Sequence, residues 1–172
     1  MRQIKINSTL GNEILTAQNV KDFVRVDTSA DDNIISAMIT QARIWCENYI
    51  SRDIVSKNRT YYLPQTNGLF DLPFGPVSSI EQITVSGTAT TDFEILGLDN
   101  ETIELDGGSA DHVKITYITA GLNDSLIRQA MLQLISTYYD NRADFDSGSS
   151  KEVSEIPTST KTILTSYKSM FL

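Results

Sequence analysis

The sequence predicts an α+β fold in which a small antiparallel sheet lies between two long amphipathic helices, with shorter helices beside them. Three observations carry this. Apolar residues recur in steps of three and four over 35–49 and again over 126–138. Between them, over about 57–119, the period falls to two in short runs rich in Val, Ile, Thr, Tyr and Phe. The connections between those runs are too short for crossover helices, which selects antiparallel pairing.

In order along the chain, residues 1–14 read as irregular or extended. In "LTAQNVKDFVRVD", Thr16 is placed to cap a short helix, with Val20, Phe23 and Val24 at helical spacing. "DTSADD" interrupts. Ser29 is the candidate N-cap of the first long helix, and Asp31 and Asp32 fall in its first turn, where the helix dipole favours acids. Ile35, Met38, Ile39, Ala42, Trp45, Cys46 and Tyr49 then draw one apolar stripe, with Gln41, Arg43 and Glu47 largely outside it. "RTYYL", "LFDLPF", "IEQITVS", "DFEILGL", "TIEL" and "HVKITYI" read as short strands. Val113, Ile115 and Tyr117 share one face of the last. Asp99-Asn100 and Gly107-Gly108 mark turns. Asn123, Asp124 or Ser125 caps a second long helix, whose inward stripe is Leu126, Ile127, Ala130, Leu134, Ile135 and Tyr138. "DFDSGSSKEVSE" loses all periodicity and reads as a flexible linker. Pro157 opens a last amphipathic segment with Ile163, Leu164, Tyr167, Met170 and Phe171 on one side. A helix that short is marginal alone in water, so it is expected to dock, on its own body or on another chain.

The 172 residues suit one compact domain with an appended tail, and 40% hydrophobic content supports a core. The net charge is −8, from 14 basic and 22 acidic residues. That argues against tight, charge-driven nucleic-acid or acidic-membrane binding, which needs clustered Lys and Arg. Residues 92–111 hold seven acids and no Lys or Arg; without EF-hand spacing they read as a solvated sheet edge rather than a metal site. One cysteine forms no internal disulfide, consistent with a reducing compartment. No apolar run reaches the roughly 20 residues that cross a bilayer, and the first residues lack the apolar stretch of a signal peptide.

The chemistry of catalysis is thin. Cys46 sits on the apolar stripe, where burial raises a thiol's pKa and suppresses its nucleophilicity, and the only histidine, His112, lies in a strand-like run. There is no G-x-S-x-G, no P-loop, no G-x-G-x-x-G and no cysteine pair for zinc. Asp31-Asp32 and Glu101-Glu104 read as a helix start and a strand edge. The expectation is a protein that is not an enzyme and has no cofactor and no metal.

Four stretches, in series over roughly 15–145, resemble the head–tail connector (adaptor) family of tailed bacteriophages. They are "LTAQNVKDFVRVD…DDNIISAMITQARIWCENYISRDI", with Glu47, Tyr49 and Arg52 at its close; "LPFGPVSSIEQI"; "VKITYITAGL"; and "IRQAMLQLISTYYDNRADF", with Tyr139, Asp140, Asn141 and Arg142 near its end. The resemblance implies a helical bundle of two long helices plus short helices, with a small antiparallel β-sheet inserted between the long helices. It implies a connector/adaptor domain over 1–145, with the β-rich insertion at about 57–119, followed at 146–172 by a flexible linker and C-terminal amphipathic helix.

It also implies a role. Such proteins form a homo-oligomeric ring, expected as a dodecamer, under the portal protein. The ring extends the DNA channel and offers a docking platform to a downstream stopper or tail protein. Double-stranded DNA passes through without sequence-specific binding, and no membrane is involved. The place of work is the virion neck, after synthesis in the bacterial host cytoplasm. An acid-rich lumen would repel phosphates and let DNA slide. Candidate subunit or portal interface residues are Arg52, Arg142, Ile163, Leu164, Tyr167, Met170 and Phe171. Arg142 has a plainer role as complement to its helix's C-terminal dipole. The alternatives are another neck or tail component (stopper or tail completion), or a non-catalytic ligand-binding module using Tyr61, Tyr62, Phe70 and Phe74.

Overall fold

The computed structural model describes residues 1–141 and 156–169. The linker and the positions of Arg142, Met170 and Phe171 lie outside the described residues. The chain divides into two compact units. One joins Met1–Asn12 to Ser51–Leu122, and the other joins Glu13–Ile50 to described residues of Asn123–Lys168.

The first unit is all β. Its strands are β1 (Gln3–Thr9), β2 (Lys57–Thr66), β3 (Leu69–Asp71), β4 (Val77–Val85), β5 (Thr88–Thr90), β6 (Phe93–Leu96), β7 (Thr102–Leu105) and β8 (Ala110–Thr119). Five form an antiparallel sheet in the order β1-β2-β8-β4-β5, and three form a second in the order β3-β7-β6. The alternation in β8 turns Val113, Ile115 and Tyr117 inward, all fully buried. From β2 come Tyr61 and Leu63, from β4 Val77 and Ile83, and from the smaller sheet Phe70, Ile103 and Leu105, so one core is shared by both sheets. Pro64 lies beyond the last β2 residue paired with β1, where its missing N–H costs that ladder nothing. Val85 pairs with Thr88 across Ser86-Gly87, whose φ values of +48° and +87° make the two-residue loop that a twisted hairpin favours. Asn100, at φ +54°, turns β6 into β7.

The second unit is helical: α1 (Ala17–Val24), α2 (Asp32–Ile50), α3 (Ser125–Asp140) and α4 (Thr158–Thr165). Thr16 caps α1 in a reciprocal pair with Asn19. Asp124 caps α3 by accepting from the Leu126 N–H at 2.7 Å. Asn141 closes α3, its side-chain amide donating to the Thr137 carbonyl at 2.7 Å. Ser29 contributes its carbonyl rather than its hydroxyl at the start of α2, accepting from the Asp32 N–H. Ile35, Ile39, Ala42, Cys46 and Ile50 bury one side of α2, and Ile127, Ala130, Met131, Leu134 and Ile135 one side of α3.

The expected helical bundle with a small inserted sheet is therefore corrected. The described residues form four helices and eight strands in two antiparallel sheets, with about equal helix and strand content. The β portion is an independent unit with a core of its own. It also recruits the N-terminal residues, read from sequence as irregular or extended, as the edge strand β1.

Candidate functional site

The polar side chains of the β unit converge first on Asp53, which is fully buried. Its carboxylate accepts from Lys57 Nζ at 2.8 Å, from Arg59 Nε and Nη2 at 2.7 and 2.6 Å, and from Thr119 Oγ1 at 2.8 Å. The Arg59 guanidinium also lies over the Phe74 ring, 3.8 Å from its centroid. Burial pushes the Asp53 carboxyl up, but the hydrogen bonds and charges of Arg59 and Lys57 outweigh it and hold the group below the usual carboxylate range. Lys57, Arg59, Tyr61 and Leu63 follow one another at every second position on the inward face of β2. A strand that brings two cations inward needs a buried acid, and the acid stands four residues before the first. That spacing was the signal available in the sequence.

The helical unit has a matching set. Arg43 and Glu47, read as outside the apolar stripe, are buried. Arg43 Nε donates to both Glu13 oxygens at 3.0 and 2.9 Å, and Nη1 donates to Glu47 at 2.9 Å. Both sets are satisfied internally, so they lock the fold rather than wait for substrate. Cys46 is fully buried, and burial pushes its thiol up to about 12. The neighbouring Trp45 stacks on Tyr49 with centroids 5.1 Å apart.

The candidate interface residues are placed as follows. Arg52 Nη1 reaches Asp99 at 3.3 Å, and its buried Nε has no hydrogen-bond partner among the described residues. Leu164 is fully buried. Ile163 and Tyr167 are half-buried, and the Tyr167 hydroxyl donates to Asp124 at 2.6 Å, tying the end of α4 to the N-cap of α3. Thr160 is also buried, its hydroxyl against the Ala130 carbonyl at 3.3 Å. Thus α4 docks on its own helical unit. Arg142, Met170 and Phe171 fall outside the described residues.

The four aromatics of the ligand-module alternative are already engaged. Tyr61 and Phe70 are core residues, Phe74 carries Arg59, and the Tyr62 hydroxyl bonds His112 Nδ1 at 2.7 Å. Among the described residues no group of His, Cys, Asp or Glu is arranged to hold a metal ion, and no helix is long and apolar enough to cross a membrane.

Two stretches of the β unit face outward. Within 92–111, Asp92, Glu94, Glu104, Asp106 and Asp111 are exposed while Asp99 and Glu101 are half-buried, and β1 with its flanking residues displays Arg2, Ile4, Lys5, Ile6 and Leu10. Sequence reading had no means of weighting β1, because its side chains are exposed on both faces and give no burial signal.

The sequence model of phage gp6-like head-tail connector proteins matches residues 15–104. No curated protein matches this chain. Among solved structures, the fold is similar to a chain in the neck of the empty gene transfer agent (GTA) particle computed with C6 symmetry, with TM-score 0.76 and 16% identity over 99% of this chain and 97% of that one. It is also similar to chains in the neck of the native GTA particle computed with C12 symmetry (TM-score 0.71, 15% identity) and in the virion of the native particle (0.71, 13%), each over 99% of this chain and 97% of the other.

Proposed function

We propose that this chain, which belongs to the phage gp6-like head-tail connector protein family, works as an adaptor in the neck of the virion: a non-catalytic subunit of a ring beneath the portal that extends the DNA channel and carries the next neck or tail protein. The family match over 15–104 is the observation that carries this reading. The fold supports it, since chains of like fold occur in GTA necks treated with six- and twelve-fold symmetry.

The side chains point the same way. Charged groups that resemble a catalytic set, at Asp53 and at Arg43, are consumed in internal ion pairs. A ring subunit needs a stiff body with two different surfaces, because a head-to-tail contact closes only at the right rotation. Buried ion pairs, a shared β core and capped helices make each unit stiff. The net charge of −8 suits a channel wall that repels phosphate and lets DNA slide.

The test is to mix the chain with its portal protein and follow mass by light scattering and shape by negative-stain imaging. The expected result is a ring coaxial with the portal and absent from portal alone. A chain that stays monomeric beside the portal, or that binds it singly off the axis, overturns the adaptor reading.

A further inference from the structure

We propose that neighbouring copies of this chain join edge to edge through their β units, the β1 edge of one copy lying against the β6 edge of the next. The inference rests on the ring reading above and names the surface that would close the ring.

Both strands are sheet edges. Among the described strands β1 pairs only with β2, and β6 only with β7. An open edge of this kind offers unpaired N–H and C=O groups to another strand. The heptad Gln3–Thr9 is long for an unprotected edge; it has no proline, and its one bulge comes after Ile6.

The side chains on the two edges match face by face. Residues directly opposite in an antiparallel pair share a face. Ile4 and Ile6 stand opposite Tyr61 and Arg59, whose side chains are buried, so both isoleucines lie on the core side of their sheet. They are nevertheless 39% and 48% exposed. A cavity of about 850 Å³ opens there, with Ile4, Tyr61, Leu63 and Phe70 in its wall. On the other edge, Ile95 stands opposite fully buried Ile103 and is 45% exposed. Each edge is thus a core left unfinished, and a second copy completes both.

The outer faces are complementary in charge. Glu94 stands directly opposite Glu104, a like-charge pair that weakens a sheet unless a cation is supplied. No cation within 92–111 supplies it, and among the described residues neither glutamate forms an ion pair. Lys5 stands opposite Thr60, on the outer face of its own edge, exposed and, among the described residues, without an ion pair. Residues 1–12 contain Arg2 and Lys5 and no acid. Set side by side, the two edges bring isoleucine to isoleucine on the core face and Lys5 to the Glu94–Glu104 pair on the other. Leu98, wholly exposed in the turn after β6, adds apolar area at the same contact.

The experiment is a charge swap, read by sedimentation velocity and negative-stain imaging of the full chain, alone and with portal. The variants are Lys5→Glu, Glu94→Lys and the two together, each checked for native circular dichroism. Each single reversal places like charges across the contact and is expected to raise the concentration for half-assembly about tenfold. The double variant is expected to return it to within about twofold of wild type. Assemblies indifferent to all three variants, or singles that the double fails to rescue, overturn the edge pairing while leaving the ring reading intact. A wild-type chain that assembles in neither condition overturns both.

Discussion

Replacing Asp53 by asparagine tests how much of the β unit rests on one carboxylate. The wild-type group is fully buried and takes four hydrogen bonds, three of them from Lys57 and Arg59. Asparagine keeps the volume and one acceptor but removes the charge, leaving two buried cations facing an amide. Breaking a buried ion pair by removing one partner costs about 3–5 kcal/mol. At roughly 2–4 °C per kcal/mol for a chain of this length, the melting temperature should fall by about 6–20 °C. The assay is urea and thermal unfolding followed by circular dichroism. The pH dependence has a definite sign. The folded-state pKa of Asp53 is depressed, so its contribution is present above the ordinary carboxylate pKa and is lost as pH falls through the folded value. The penalty of Asp53→Asn should therefore be full near neutral pH and should shrink at pH below the ordinary aspartate range. A loss under about 1 kcal/mol at pH 7, or a penalty that grows on acidification, refutes the account of the cluster.

Three further outcomes follow from single residues. Cys46 should resist maleimide and aromatic disulfide reagents in the native protein at pH 8 and react fully in denaturant, because its thiol is buried and its pKa is pushed up to about 12; rapid native labelling contradicts this. Leu164→Ala should cost about 2–5 kcal/mol by removing the fully buried anchor of α4, with hydrogen exchange rising first in α4 and the facing part of α3; unchanged protection there would show that α4 does not dock on its own unit. Gly121→Ala should destabilise by more than the usual glycine penalty, since Gly121 has φ +80° and an added Cβ would lie 2.9 Å from both the Ile54 carbonyl oxygen and the Ser56 nitrogen; an unchanged melting temperature would refute the close approach.

The parts of the fold legible in the sequence were those where burial leaves a periodic trace. The stripe from Ile35 to Cys46, the inward face of Val113, Ile115 and Tyr117, and the Thr16 and Asp124 caps all express one residue's environment at fixed spacing. The balance of the fold was not legible. Long helices give strong local signals, whereas three- and four-residue strands such as β3, β5 and β6 give almost none, so the β portion was underweighted. β1 was hidden for a related reason: its pairing with β2 spans about fifty residues of sequence, and neither of its faces is covered. Arg43, Glu47, Lys57 and Arg59 were misplaced outward or passed over because charge argues for exposure unless the partner acid is known, and partners are set by tertiary structure. The same limit applies to assembly. Charge totals suggested a wall that repels DNA, but the face-matched isoleucines and the unneutralised Glu94–Glu104 pair exist only once strand register is known.

The most direct test of the central claim is a cryo-electron microscopy reconstruction of a neck assembled from the portal and this chain. The account predicts a closed ring of copies around the portal axis, its subunits of the fold described here, with an open channel at the centre. An assembly in which the chain is absent, sits off the axis, or occupies a single site without closing a ring contradicts it.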